Sequence, residues 1–148
     1  MHDINLEIYN KYTKDFATLI KHFTESSLRT IEVMQNLELF LENETAIVGG
    51  HIIDEKLVSF IWCHERNFGG TRRLHISYFI VDENYRGRGL SKDLLNFSKE
   101  KAEKLNIQLI DLNVEPENET AIKVYKKAGF KTEKLQLVME VNKGDNNV

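Results

Sequence analysis

Apolar and polar residues alternate around Ile4, Leu6 and Ile8, which predicts a short opening strand. Phe16, Leu19, Ile20 and Phe23 then recur at helical spacing, as do Leu28, Ile31, Met34, Leu37 and Leu41. These stripes predict two amphipathic helices joined around Glu25-Ser26-Ser27. Residues 45–53 and 57–66 read as a hairpin turning at Asp54-Glu55-Lys56, with a second turn at Asn67-Phe68-Gly69-Gly70. Residues 71–81 form a strand that feeds a glycine-rich loop, and Leu90, Leu94, Phe97, Ala102 and Leu105 share one face of the helix after it. The apolar run over 107–114 predicts a strand buried on both faces. Pro116 and the N-cap candidate Asn118 open another helix, Gly129 suits its end, and 130–141 closes the chain as one or two strands. The order β-α-α-β-β-β-α-β-α-β predicts an α+β fold with a mixed sheet.

Composition narrows the picture only a little. At 148 residues, with 41% hydrophobic and 29% charged positions, the chain suits one globular domain. A net charge of −3 gives no general electrostatic reason to bind nucleic acid or an anionic membrane. No apolar run approaches a membrane span, and Met1-His2-Asp3 begins no signal peptide. Cys63, the single cysteine, reads as core filler on a strand and suits a reducing cytoplasm. The five histidines show no spacing that suits zinc, and no metal is expected. Gly49-Gly50 reads as a bulge or turn, Arg72-Arg73 as a solvated strand start, and 142–148 as a flexible tail.

The candidate chemistry starts at Arg86-Gly87-Arg88-Gly89-Leu90-Ser91-Lys92, where the strand-feeding loop opens a helix. A glycine-rich turn at a helix start aims backbone N–H groups at one spot, and the dipole and two arginines add positive charge there. Gly87 and Gly89 let backbone approach a phosphate with no Cβ in the way. That combination suits a pyrophosphate. Read as Arg86-x-x-Gly89-x-Ser91, the loop resembles the Arg/Gln-x-x-Gly-x-Gly/Ala pyrophosphate loop of the GNAT superfamily of acetyl-CoA-dependent N-acetyltransferases, with serine at a position usually glycine or alanine. Downstream, Asn118-Glu119-Thr120-Ala121-Ile122-Lys123-Val124-Tyr125-Lys126-Lys127-Ala128-Gly129-Phe130 is similar to that family's Asn-x-x-Ala-x-x-x-Tyr-x-x-x-Gly-Phe motif.

The resemblance implies a GNAT-like mixed central sheet of six to seven strands flanked by four helices, and one N-acetyltransferase domain over 1–141 with the tail beyond it. It implies acetyl-CoA as co-substrate, held by Arg86 through Lys92, by Asn118, and by the backbone of Phe79, Ile80 and Val81. Tyr125 takes the position of the acid that protonates the departing thiolate. Lys127 reads as a solvated lysine.

On a regular strand His75, Ser77, Phe79 and Val81 share one face, and His75 stands where relatives carry a glutamate or histidine base. Asn113 on the next strand cannot be a base, and Glu115 is the fallback, acting through water. The acceptor is a primary amine, on a small molecule or a peptide, met by the variable helices around 12–43 whose Glu25, Glu32, Glu38 and Glu42 read as a wet face. The partners implied exclude nucleic acid and membrane and include a homodimer as candidate assembly. The competing reading is a catalytically idle acyl-CoA-binding module that regulates a partner.

Overall fold

Two hairpins build the centre of the sheet, and each turns on a pair of left-handed residues. Asp54 and Glu55, at φ 50° and 59°, connect β2 (Ile47–Ile53) to β3 (Lys56–Phe68). Gly69 and Gly70, at φ 60° and 85°, connect β3 to β4 (Thr71–Val81). Two successive residues at positive φ give the turn whose twist matches that of the flanking strands. Asn67 and Phe68, expected in this second turn, therefore extend the strand instead.

A computed structural model describes residues 1–142 of the chain; residues 143–148, on which most of the expected tail falls, lie outside the described residues. Two compact units are present, Met1–Val114 and one that begins at Glu115. In the first unit five strands lie in the order β1-β2-β3-β4-β5, with β1 at His2–Asp3 and β5 at Leu109–Leu112. The pairs from β1 to β4 are antiparallel, and β5 joins β4 in parallel, so the sheet is mixed.

One face of the sheet carries α1 (Leu6–Lys11), α2 (Thr13–Thr24) and α3 (Ser27–Glu42) over a core that includes Phe16, Ile20, Leu37, Phe60, Trp62 and Ile80. The other face carries α4 (Leu90–Lys104), which buries Leu90, Leu94, Leu95, Phe97 and Ala102. Leu105, expected on that stripe, is the exposed C-cap residue.

Several expectations change. The alternation at Ile4, Leu6 and Ile8 is not a strand: the Asn5 side chain accepts the Ile8 N–H at 2.9 Å, and helix α1 starts there. That cap starts an additional helix, so five α-helices stand among the described residues where four were expected. In α3 the buried stripe is Thr30, Val33, Leu37 and Leu41, while Leu28 and Ile31 face solvent. β5 is four residues long, with Leu109 exposed and the other three half-buried, rather than a fully buried run over 107–114.

In the second unit α5 (Glu119–Lys127) opens where predicted, with Asn118 accepting the Ala121 N–H at 3.2 Å, and Gly129 follows its end at φ 108°. Residues 130–142 hold no strand among the described residues, and Leu135, Leu137, Val138, Met139 and Val141 are exposed. Alternation there specifies a face but supplies no ladder partner. The sheet therefore has five strands among the described residues, not six or seven.

Gly49 and Gly50 form neither a bulge nor a turn; they lie inside β2, opposite Ile61 and Phe60. A Cβ on Gly49 would sit 2.8 Å from the Phe97 ring, and one on Gly50 would sit 2.6 Å from the Ser59 carbonyl oxygen. A flexible ring can give way, but a strand carbonyl cannot. Gly50→Ala is expected to cost about 1–3 kcal/mol, the range for overpacking, or several degrees in Tm. Thermal unfolding checks this, and an unshifted Tm would show that β2 and β3 approach less closely than described.

Candidate functional site

The register of β4 against β3 slips by one residue: Trp62 faces Tyr78, whereas Cys63 faces Ile76. Ser77 is the extra residue of a β-bulge. The bulge reverses the alternation, so His75 does not share a face with Phe79 and Val81 as expected. It shares the helix-covered face with Tyr78. A continuous row of rings shows this: Tyr78 stacks on Trp62 at 5.6 Å, Trp62 meets Phe40 at 5.6 Å, Phe40 meets His64 at 5.8 Å, and His64 meets His75 edge-on at 5.4 Å. The half-exposed Phe23 of α2 continues the row against Tyr78 at 5.9 Å.

The bulge also marks where β4 leaves β5. Their parallel pairing runs from Arg73↔Leu109 to Ile76↔Leu112 and stops there, while β4 continues to Val81. On its other edge β4 stays paired with β3, and the Asp82 N–H donates to the Val58 carbonyl at 2.8 Å. Antiparallel alternation then turns the backbone groups of Ile80 toward Phe60, and those of Phe79 and Val81 to the edge away from β3.

Beyond Val81 the chain makes a short 3-10 turn over Glu83–Tyr85, capped by the Asp82 carboxylate, which accepts the Asn84 N–H at 2.8 Å. Gly87 and Gly89 stand at φ 77° and 80°, and no side chain caps the start of α4 behind them. The first-turn N–H groups of α4 thus open onto the loop. Arg86, Arg88 and Lys92 are exposed there, with the Arg88 guanidinium 4.8 Å from the Tyr85 ring centre. Leu90 is buried beneath and Ser91 is half-buried. His51 fixes the start of this helix: its Nδ1 lies 2.6 Å from Ser59 Oγ and its Nε2 3.0 Å from Asp93 Oδ2.

His75 is half-buried, and its Nδ1 lies 2.8 Å from Asp111 Oδ1. Arg73 Nη1 reaches Asp111 Oδ2 at 3.5 Å, so Arg73 is no solvated strand start. Arg72, by contrast, is exposed and pairs with Glu65. Ser77 Oγ lies 3.1 Å from His64 Nδ1. Burial pushes the His64 pKa below its ordinary value, helped by the charges of His75 and Arg66 and opposed by Asp111.

Sequence reasoning missed Asp111 and His64. The signal for Asp111 was one carboxylate inside an apolar strand. For His64 it was the two-residue turn at Gly69-Gly70, which folds it onto His75. Asn113 and Glu115 lie beyond the end of β5 and are exposed, so neither is a strand residue.

Within the second unit, Tyr125 lies on α5 edge-on to Phe130 at 5.8 Å. Burial raises its hydroxyl above the ordinary tyrosine value, which keeps it protonated. Lys127 is exposed. Cys63 is buried and its thiol is pushed up to about 12 by burial, as suits core filler. Among the described residues no cluster of His, Cys, Asp and Glu could hold a metal ion, and no helix is long and apolar enough to cross a membrane.

Residues 5–130 match the family model described as Acetyltransferase (GNAT) family. The chain is 26% identical over 113 residues to GCN5-related N-acetyltransferase 6, chloroplastic, of Arabidopsis thaliana, covering 75% of this chain and 37% of that protein. The chain spans 24 to 49% of the length of the curated relatives it matches. Among solved structures it is similar to ribosomal-protein-alanine N-acetyltransferase from Brucella melitensis biovar Abortus 2308, with a TM-score of 0.71 at 20% identity over 95% of this chain and 98% of that one. It is also similar to an aminoglycoside acetyltransferase from an uncultured soil metagenomic sample in complex with sisomicin, with a TM-score of 0.77 at 12% identity over 95% and 93%.

The lowered pKa of His64 has a consequence for stability. A histidine whose folded value lies below its ordinary 6.5 binds protons more readily when unfolded. Its contribution is complete above pH 6.5 and is lost as pH falls through the folded value. His64→Gln is therefore expected to flatten the fall in unfolding free energy between about pH 7 and pH 5. Denaturant titrations across that range check this, and parallel curves for the two proteins would contradict it.

Proposed function

The chain belongs to the GNAT acetyltransferase family, and on that premise we propose that it transfers the acetyl group of acetyl-CoA directly to a primary amine. The observation that carries this reading is the uncapped start of α4 behind Gly87 and Gly89, beside exposed Arg86, Arg88 and Lys92. N–H groups, a helix dipole and cationic side chains converge there, as a pyrophosphate requires. The pantetheine arm runs along the β4 edge that β5 leaves, with Phe79 and Val81 presenting backbone toward it and Ile80 held to β3. Asn118 caps α5 and also contacts coenzyme. Residues 1–141 act as one catalytic domain, a reading supported by the family match across both compact units. The free, buried Cys63 suits the cytoplasm, where we place the protein.

The amine nitrogen attacks the thioester carbonyl, a C–N bond forms, the C–S bond breaks, and coenzyme A leaves as a thiolate. His75 takes the amine proton. Tyr125, kept protonated by its burial, gives a proton to the thiolate. The acceptor is carried on a small molecule or a peptide. Structures of like fold include one named for a ribosomal-protein alanine and one holding an aminoglycoside.

Acetyl-CoA at a hundred times its dissociation constant is expected to stabilise the fold by about 2.7 kcal/mol, a several-degree rise in Tm. Gly89→Val, whose side chain does not tolerate φ 80°, should lose that rise. No rise in the wild type at millimolar acetyl-CoA would end the reading. A rise without coenzyme A release against any primary amine in a panel would favour the regulatory module instead.

Tyr125→Phe keeps the ring and removes the proton. Single-turnover acetyl transfer should slow by about 10²- to 10⁴-fold with little change in coenzyme protection. Unchanged single-turnover chemistry would leave Tyr125 a packing residue.

A further inference from the structure

His75 and Asp111 are register partners on adjacent parallel strands, and the pairing places one carboxylate oxygen 2.8 Å from Nδ1 of the imidazole. The other carboxylate oxygen faces Arg73 Nη1 at 3.5 Å. Arg73 stands two residues before His75 on β4, so a single strand supplies both neighbours of the carboxylate. The His75 side chain is 12% exposed and that of Asp111 32%, so water screens the contact only in part. Among the described residues the charged and titratable groups that meet His75 include Asp111 on β5 and His64 on β3; Arg73 on its own strand acts on Asp111, and Arg66 acts on His64.

We propose that Asp111, anchored through its second oxygen by Arg73, is the positioning residue that holds neutral His75 with its proton on Nδ1. Nε2 is then the bare nitrogen that accepts the amine proton. This rests on the acetyl-transfer reading above.

The carboxylate can only accept a hydrogen bond, and Nδ1 within 2.8 Å of it must therefore donate. The ring's remaining lone pair is on Nε2. As the amine attacks, its N–H proton passes to Nε2, the C–N bond forms, and the imidazolium is stabilised by the Asp111 carboxylate; the proton later leaves to solvent. His64 supports this step because burial keeps it neutral beside the charge that develops on His75. Ser77, displaced by the bulge, holds the His64 ring by its Nδ1.

Arg73 makes the proposal testable. In Asp111→Asn the guanidinium, which can only donate, selects the amide oxygen. The amide NH₂ is then left facing His75 Nδ1, as a donor. The imidazole must accept there and carry its proton on Nε2, the wrong nitrogen for a base. Long-range ¹⁵N–¹H correlation of the labelled protein reads the tautomer directly, with His75→Gln assigning the signals.

The wild type is expected to show Nδ1–H and Asp111→Asn to show Nε2–H, with catalytic rate down by about 10²-fold or more and acetyl-CoA protection unchanged. The wild-type spectrum needs no substitution at Asp111, so a poorly folding Asn protein does not block the test. His75 found as Nε2–H in the wild type, or an Asn variant with wild-type rate, overturns the assignment. Failure of acetyl-CoA to protect the wild type overturns the acetyl-transfer reading, and the base role with it, whatever the tautomer.

Discussion

One extra residue in β4 organises the first unit. Without the bulge at Ser77, His75 would lie on the α4 face, away from the row of rings that ends at Phe23. With it, the two ends of β4 do different things. The first end, from Arg73 to Ile76, is paired on both edges and carries the half-buried chemistry of Arg73 and His75. The second end, from Tyr78 to Val81, is paired with β3 and has parted from β5. It leads straight into the loop of Gly87 and Gly89. A bulge adds local twist and a bend, and a bend at Ser77 is where β4 and β5 stop pairing.

The remaining contacts hold this arrangement in place. His51 bridges Ser59 of β3 and Asp93 in the first turn of α4, so the open helix start is tied to the sheet by side chains as well as by packing. Phe97 lies over Gly49 and adds the apolar part of the same contact. On the opposite face Tyr9 of α1, Phe16 of α2 and Phe60 of β3 form a compact aromatic group that packs those helices on the sheet. Burial thus fixes the scaffold, and the half-buried Arg73, His75 and Asp111 sit just before the point where β4 and β5 part.

The conformation of the loop at 86–92 was legible in the sequence because its signals are local: glycines at positive φ, then a helix. The same is true of the Asn118 cap and of strand 71–81. What local pattern hid was register. A four-residue turn at 67–70 and a two-residue turn at Gly69-Gly70 pair different residues, and the second brings His64 onto His75. The bulge was equally hidden, since nothing in the alternation of β4 announces Ser77 as an extra residue. Asp111 escaped because a parallel partner is chosen by the whole crossover through α4, not by neighbours in sequence. Ile4, Leu6 and Ile8 misled for the opposite reason: three apolar residues at period two outweighed a single capping asparagine.

The central claim is that the edge of β4 beyond Ser77 and the uncapped start of α4 form one continuous coenzyme surface. Amide hydrogen exchange with and without acetyl-CoA tests it most directly. The amides of Phe79 and Val81 and those from Gly87 to Ser91 should slow on binding, while Ile80, already turned to Phe60, should change little. Slowing confined to other parts of the chain, or a response at Ile80 without one at Phe79 and Val81, would contradict the account.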